Sequence, residues 1–341
     1  MPNRPRTEPH SPLTRGLLAR AALGGAMMGL ANLVPGISGG TMLVATGVYT
    51  RFIDAVSDAT RLRLSRDTIF VLGAIIGAAI VAIGGLAGLI SLALAEFRWG
   101  MYSLFIGLTL GGVPILWRMA KPLSPSAIAG VGGGIAVMIA LVLFQSAGAG
   151  GSASEANWAA LTLAGMAGAS AMILPGISGA YLLLILGQYE NIISVVKDTV
   201  KAAAAADVGG VLDGAGTLIP VGLGVVLGVA IVGNALRFVL HRYEKTTIGF
   251  LLGLLIAAPA GLYPFKEGVP PAIGETFEGE TVTEESLAEI DPKDWPERSF
   301  TPGIGHLAGA SGLIVVGVLL TLAVGRLGKE DSEDPADVSA G

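Results

Sequence analysis

Long apolar runs separated by short polar turns fill the chain from residue 16 to residue 325. Runs at 69–95, 99–117, 125–147, 217–240, 247–264 and 303–325 each approach or exceed the roughly 20 apolar residues that a helix needs to cross a bilayer. Two further apolar stretches, 16–50 and 157–189, are interrupted near their middles by the same pentapeptide. Pro35-Gly36-Ile37-Ser38-Gly39 splits the first into arms 16–34 and 36–50, and Pro175-Gly176-Ile177-Ser178-Gly179 splits the second into arms 157–174 and 176–189. Proline removes a backbone donor and glycine permits a tight reversal, so each copy should break its helix.

The pentapeptide marks an internal repeat. Residues 24–58 and 164–198 share 13 identities in 35, among them Gly47 with Gly187, Tyr49 with Tyr189 and Asp58 with Asp198. Later spans echo each other as well: Phe105-Ile106-Gly107-Leu108 resembles Leu251-Leu252-Gly253-Leu254. The expected organisation is a first repeat at 16–147 and a second at 148–326, each an arm pair followed by three spans. A basic arm at 1–15 and an acidic tail at 327–341 are expected to be disordered. The alanine-rich stretch 197–216 reads as an interfacial helix or loop. Gly73-x-x-x-Gly77 and Gly84-x-x-x-Gly88 read as close-packing helix faces.

Composition agrees with this pattern. Of the residues, 52% are hydrophobic and 14% charged, against about 25% charged in soluble domains. The fold class is therefore an all-α polytopic membrane protein. With no cysteine, thiol nucleophiles, disulfides and cysteine-type zinc sites are excluded. His10, His241 and His306 lack metal-ligand spacing, so neither a metal nor a cofactor is expected. Lys and Arg concentrate in 51–67, 118–124 and 241–246, whereas 265–301 carries ten Asp or Glu. The positive-inside rule then puts both termini in the cytoplasm and the acidic loop outside. The second half starts on the opposite side from the first, which makes the repeats inverted, as in secondary transporters. Six spans plus two re-entrant hairpins and ten full spans give the same sidedness.

In either geometry the second arms begin inside the protein, with Ser38, Gly39, Gly40 and Thr41 in one copy and Ser178, Gly179, Ala180 and Tyr181 in the other. Helix starts bearing hydroxyls and bare glycines suit an anion such as phosphate. The bland alternative is a pair of Pro-Gly kinks that serve packing alone. Retention of Pro35, Gly36, Pro175 and Gly176 together with both serines argues against it. Asn32, one turn before the first break, can reach the same place; its counterpart is Met172. Tyr49 and Tyr189 read more readily as interfacial anchors. Arg51, Arg118, Glu190 and Arg237 lie near span ends, as headgroup contacts or interface markers. The middle of an apolar span offers no Lys or Arg, so anion contacts should fall to amides and hydroxyls. Gly132-Gly133-Gly134 lies within a span without a following Gly-Lys-Ser/Thr and is not a phosphate loop.

The stretch Asn32-Leu33-Val34-Pro35-Gly36-Ile37-Ser38-Gly39-Gly40-Thr41, with Gly47-Val48-Tyr49, resembles the signature of the PopT-type polyprenyl-phosphate (undecaprenyl phosphate) translocases. Pro175–Gly179 with Gly187-Gln188-Tyr189-Glu190 is similar to that family's second motif. The resemblance spans about 15–326. It implies a flippase that returns undecaprenyl phosphate, or a dolichyl-type phosphate, from the outer to the cytoplasmic leaflet of the cell membrane for envelope or glycoconjugate synthesis. Its partners would be the lipid phosphate, the bilayer and a coupling cation, H+ or Na+, with no role for nucleic acid. Two other classes fit parts of the pattern. An ion-coupled transporter of a small soluble anion would share the architecture. Gly36-Ile37-Ser38-Gly39 also matches the Gly-x-Ser-Gly pattern of rhomboid intramembrane serine hydrolases, but that chemistry needs a histidine base beside the serine.

Overall fold

The computed structural model describes residues 13–33, 38–146, 157–277, 280–290 and 295–330. The sequence-predicted arm at 1–12, most of the first pentapeptide at 34–37 and the tail at 331–341 lie outside the described residues. The first half comprises α1 (Arg15–Asn32), α2 (Gly39–Ala45), α3 (Tyr49–Thr60), α4 (Arg66–Glu96), α5 (Arg98–Leu110), α6 (Val113–Ala120) and α7 (Pro125–Ser146). The second comprises α8 (Trp158–Ile173), α9 (Gly179–Ile185), α10 (Tyr189–Ala204), α11 (Val208–Arg242) and α12 (Glu244–Ala257) with a 3-10 turn at Ala258–Gly261. An insertion follows, with β1 (Lys266–Gly268), β2 (Thr276–Phe277), β3 (Glu280–Thr281), α13 (Glu284–Glu289) and β4 (Glu297–Ser299), before α14 (Ile304–Glu330). Five helical segments, at 66–86, 98–120, 125–144, 208–242 and 304–325, are long and apolar enough to cross a membrane.

Each arm pair folds back on itself. Gly39 faces Met28 and Asn32, while Gly24 faces Leu43 and Thr46, so α2 runs antiparallel to α1. Gly179 lies against Gly168 and Met172, and Gly168 against Leu183, which gives α8 and α9 the same hairpin. Continuous second arms at 36–50 and 176–189 are not found. Both helices stop after seven residues, about 10 Å of rise and far short of a crossing. The stop is encoded by Gly47 (φ +69°) and Gly187 (φ +65°). Each sits left-handed just past its helix end, where it lets the following amide turn back: Val48 N bonds Leu43 O, and Gln188 N bonds Leu183 O, both at 3.0 Å.

Glycine seams join the long helices in parallel pairs. On α1, Gly25 and Gly29 abut the backbone of Ile75 and Ala79 on α4; on α11, Gly224 and Gly228 abut Thr162 and Met166 on α8. Gly25 and its repeat partner Gly165 each face a backbone carbonyl, of Ile75 and Val221. The other two pairs cross between halves: α5 meets α14 through Gly107 and Gly317, and α7 meets α12 through Gly134 and Gly253. Bare backbones approach this closely only without a Cβ. The two glycine pairs read from sequence as packing faces do not do this. Gly73, Gly77, Gly84 and Gly88 have open space where a Cβ would stand.

Three boundaries differ from the sequence reading. The stretch 197–216 is neither a loop nor one interfacial helix: α10 ends at Ala204, and Asp207 caps α11, accepting from Gly209 N at 3.0 Å. Residues 247–264 are helical only to Ala257 before tightening into the 3-10 turn. Helix α14 continues to Glu330, into what was expected to be tail. The insertion adds two small antiparallel ribbons, β1 with β4 and β2 with β3, to an otherwise helical chain.

The bundle has a basic and an acidic end. At the basic end Lys245 Nζ donates to the carbonyls of Met119 (2.9 Å) and Lys121 (2.6 Å), and Arg237 on α11 pairs with Asp54 on α3. At the acidic end the insertion packs on the start of α5, where Arg98 donates to Trp295 O.

Candidate functional site

The two hairpins meet, and they meet through the repeated motif. Helix α8 ends where Pro175 cannot extend its hydrogen bonding, which leaves its last carbonyls as orphan acceptors. The first hairpin supplies their donors. Tyr49 Oη donates to Ile173 O at 3.1 Å, and Ser38 Oγ donates to Leu174 O at 2.8 Å. In the reverse direction, Gly176 N donates to Thr41 Oγ1 at 3.0 Å. Gly176 has φ +86°, as the turn after Pro175 requires. A Cβ there would also stand 3.0 Å from the Leu254 carbonyl of α12. Gly40 is bare for a similar reason: its Cβ would lie 2.8 Å from Ile173 O.

The hydroxyls at this junction are deeply buried. Ser38 is 4%, Thr41 0% and Ser178 6% exposed. Both serines occupy the N-cap position of their short helices, yet neither side chain caps it. Ser38 and Thr41 instead tie one half of the chain to the other. The junction sets the hydroxyls of Ser38, Thr41 and Tyr49 against the bent backbone of 173–176 in an apolar interior. There each unpaired polar group would be costly.

The remaining sequence candidates fall in different places. Pro35 and Gly36 lie outside the described residues. Asn32 ends α1, exposed, with its amide beside Gly39. Pro175 forms the second turn, and Gly39 and Gly179 begin the short helices. Tyr181 lies on α9 and Glu190 on α10, their side chains outside the description. Tyr49 corrects the interfacial-anchor reading: it is buried, and its hydroxyl joins the hairpins. Tyr189 is half-buried, Arg51 lies in the first turn of α3, and Arg118 is exposed in the last turn of α6.

Arg237 belongs to a network that links the halves at the basic end. It pairs with Asp54 (3.0 Å) and Asp58, and its Nη1 donates to Ser57 Oγ at 3.2 Å. One turn away, Asn234 accepts from Ser57 and Arg61 and donates to Thr60. Sequence reasoning named Arg237 but not these partners, which lie about 180 residues earlier and follow no local pattern. Arg20 was overlooked, although a cation five residues into the first arm was legible. It reaches toward the Gly47 turn, with Nε buried and without a hydrogen-bond acceptor among the described residues. Below that turn, Val44, Tyr49, Leu116, Leu240, Ile248 and Leu251 line a small apolar cavity.

The two described histidines lie away from the Gly-x-Ser-Gly pattern. Ser38 donates to a carbonyl, His241 stands 3.8 Å from Asp54, and His306 packs between Trp99 and Phe300. Among the described residues no imidazole is hydrogen-bonded to Ser38.

Comparison with known proteins adds a family context. Residues 28–276 match the VCA0040-like family, described as undecaprenyl phosphate translocase-like. A Staphylococcus aureus protein named polyprenyl-phosphate transporter is 30% identical over 258 residues, which cover 74% of this chain and 87% of that one. A Vibrio cholerae protein of the same name is 26% identical over 291 residues, covering 79% and 85%. No solved structure matches the chain.

Proposed function

The chain belongs to the undecaprenyl phosphate translocase-like family, and on that premise we propose that it carries a polyprenyl phosphate from the outer to the cytoplasmic leaflet of the cell membrane. The single observation that carries the mechanism is the junction of the hairpins, where Ser38 and Thr41 of one motif hydrogen-bond the backbone of the other. A lipid phosphate cannot cross hydrocarbon unaided, because stripping water from its charge is prohibitive. A transporter need only offer the headgroup a polar path while the prenyl chain stays in lipid. The junction is a polar island at the place where the halves meet. We assign the headgroup to Asn32, Pro35, Gly36, Ser38, Gly39, Gly40 and Thr41 with Pro175, Gly176, Ser178, Gly179 and Tyr181.

On this reading the repeats are inverted. The basic end, with Lys245 bonded to Met119 and Lys121, faces the cytoplasm, and the acidic insertion faces outward. One hairpin then enters from each side, and six crossings accompany them. Alternating exposure of the junction moves the headgroup, with H+ or Na+ as the coupling cation.

The test uses purified protein in vesicles loaded with polyprenyl phosphate and an impermeant phosphatase added outside. Protein-free vesicles should stop when the outer leaflet, about half of a lipid bilayer's headgroups, is consumed. Vesicles with the wild-type protein should proceed to near completion. A plateau equal to that of empty vesicles overturns the proposal.

A further inference from the structure

An arginine with a buried, unmatched N–H stands at the mouth of the apolar cavity near the basic end. Arg20 is half-buried on α1, and its Nη1 lies 4.0 Å from where a Cβ of Gly47 would stand. Its Nε is the only cationic nitrogen among the described residues that is buried without a hydrogen-bond acceptor. Other cations at this end are engaged: Arg237 pairs with Asp54, and Lys245 Nζ donates to Met119 O and Lys121 O. Burying a guanidinium N–H without an acceptor is costly. A structural tie does not account for it.

The turn that Arg20 reaches is also the rim of the cavity. Gly47 lines it together with Val44, Tyr49, Thr50, Met119 and Leu251. Gly47 and Met119 are exposed and Thr50 is half-buried, so the cavity opens at this rim. None of the residues lining it carries a carboxylate that would repel an anion. Tyr49 connects it to the junction: it lines the cavity, and its hydroxyl bonds Ile173 O.

We propose that Arg20 and this cavity form the cytoplasmic-side station of the carried lipid. The guanidinium holds the phosphate monoester at the Gly47 turn, and the adjoining part of the prenyl chain occupies the cavity. This rests on the transport reading above, and it names where the headgroup goes between the junction and the cytoplasm. A cation beside a mostly apolar lining calls for a ligand that is anionic at one end and apolar next to it. Guanidinium N–H groups pair with phosphate oxygens in a fork, through bonds roughly twice as strong as neutral ones. The small cavity suits the one chain of a prenyl phosphate rather than the two of a glycerophospholipid.

The test measures melting of the detergent-solubilised full chain and its binding of a short-chain polyprenyl phosphate, the matching polyprenol and phosphatidylglycerol. Arg20→Gln should weaken polyprenyl phosphate by roughly tenfold, the worth of one charge-assisted hydrogen bond. Arg20→Lys should lose less, and polyprenol should respond to neither. Without lipid, Arg20→Gln should melt no lower than wild type, because its Nε has no protein acceptor to lose. Thr50→Phe, and to a lesser degree Thr50→Leu, should narrow the cavity and weaken polyprenyl phosphate and polyprenol alike. Phosphatidylglycerol should respond to none of these changes. Unchanged affinity of Arg20→Gln, with wild type still preferring the phosphate over the polyprenol, overturns this inference alone. A lower lipid-free melting temperature of Arg20→Gln does the same, since it makes the arginine a structural tie. Wild type with no such preference removes the transport reading and this inference together. An equal loss of phosphatidylglycerol in Arg20→Gln overturns the assignment to the carried lipid. Unchanged binding by both Thr50 variants overturns the placement of the chain in the cavity.

Discussion

Ser38 of the first hairpin and Leu174 of the second, 136 positions apart, are joined by a hydroxyl-to-carbonyl hydrogen bond of 2.8 Å. The carbonyl is an orphan of a helix ended by Pro175, and the donor comes from the same motif in the other half. Ser38→Ala leaves that buried acceptor unpaired, which should cost about 1–3 kcal/mol. Thr41→Val does the same to the Gly176 amide. Thermal unfolding in detergent should show both variants lowered, with Thr41→Ser close to wild type. If Thr41→Ser falls as far as Thr41→Val, the hydroxyl bond is not what holds the junction.

Glycines that look alike in sequence should separate sharply on substitution. Gly176→Ala combines a positive φ with collision against the Leu254 backbone, and Gly25→Ala meets the Ile75 carbonyl. Each should lose several kcal/mol or fail to accumulate, as overpacked and strained backbone sites do. Gly73→Ala and Gly77→Ala face open space and lie within a helix, where alanine gains up to about 1 kcal/mol over glycine. Expression and melting temperature of the four variants check this, and equal losses in all four would contradict the seams described.

That contrast also explains what could be read in advance. The repeat, the breaks and the basic and acidic ends were legible because they are properties of composition and local order. The meeting of the motifs is a finding of the structure, carried by the Ser38–Leu174 and Thr41–Gly176 hydrogen bonds. Gly47 and Gly187 were visible as identities, but their role as stops was not, so the second arms were drawn too long. The choice between Gly25 and Gly73 was hidden because a small-residue spacing does not say which helix faces it. Tyr49 was misread for a related reason: its partner, the Ile173 carbonyl, exists only because Pro175 ends α8. The Arg98–Glu297 cluster joins residues about 200 positions apart and left no periodic trace.

Arg237 should be a stability hinge between the halves at the basic end. Arg237→Ala leaves Asp54, 10% exposed in its side chain, and Asp58 without their shared cation. Removing one partner of a largely buried pair costs about 3–5 kcal/mol. Much of that is the cost of a carboxylate that has lost its guanidinium, so Asp54→Asn in the Arg237→Ala background should recover part of the loss. A double-mutant cycle by chemical denaturation measures the coupling. Additive losses in the two single variants would show that the pair is not energetically linked.

Sidedness offers the cleanest test, because the natural chain contains no cysteine and any introduced thiol is the sole target. Arg63, exposed between α3 and α4, belongs to the basic end; Glu275, exposed in the insertion, belongs to the acidic end. In sealed right-side-out vesicles an impermeant maleimide should label Glu275→Cys and spare Arg63→Cys until detergent is added. Inside-out vesicles should reverse the pattern. Thr14→Cys, at the cap of α1, should follow Arg63→Cys, because α2 returns the first hairpin to the end it came from. Asn157→Cys, at the cap of α8, should follow Glu275→Cys for the same reason. If Thr14→Cys and Arg63→Cys label from opposite faces, the first arm pair is not a hairpin entering from one side. If Thr14→Cys and Asn157→Cys label from the same face, the two halves are not inverted, and two hairpins entering from one side could not present the junction to each leaflet in turn.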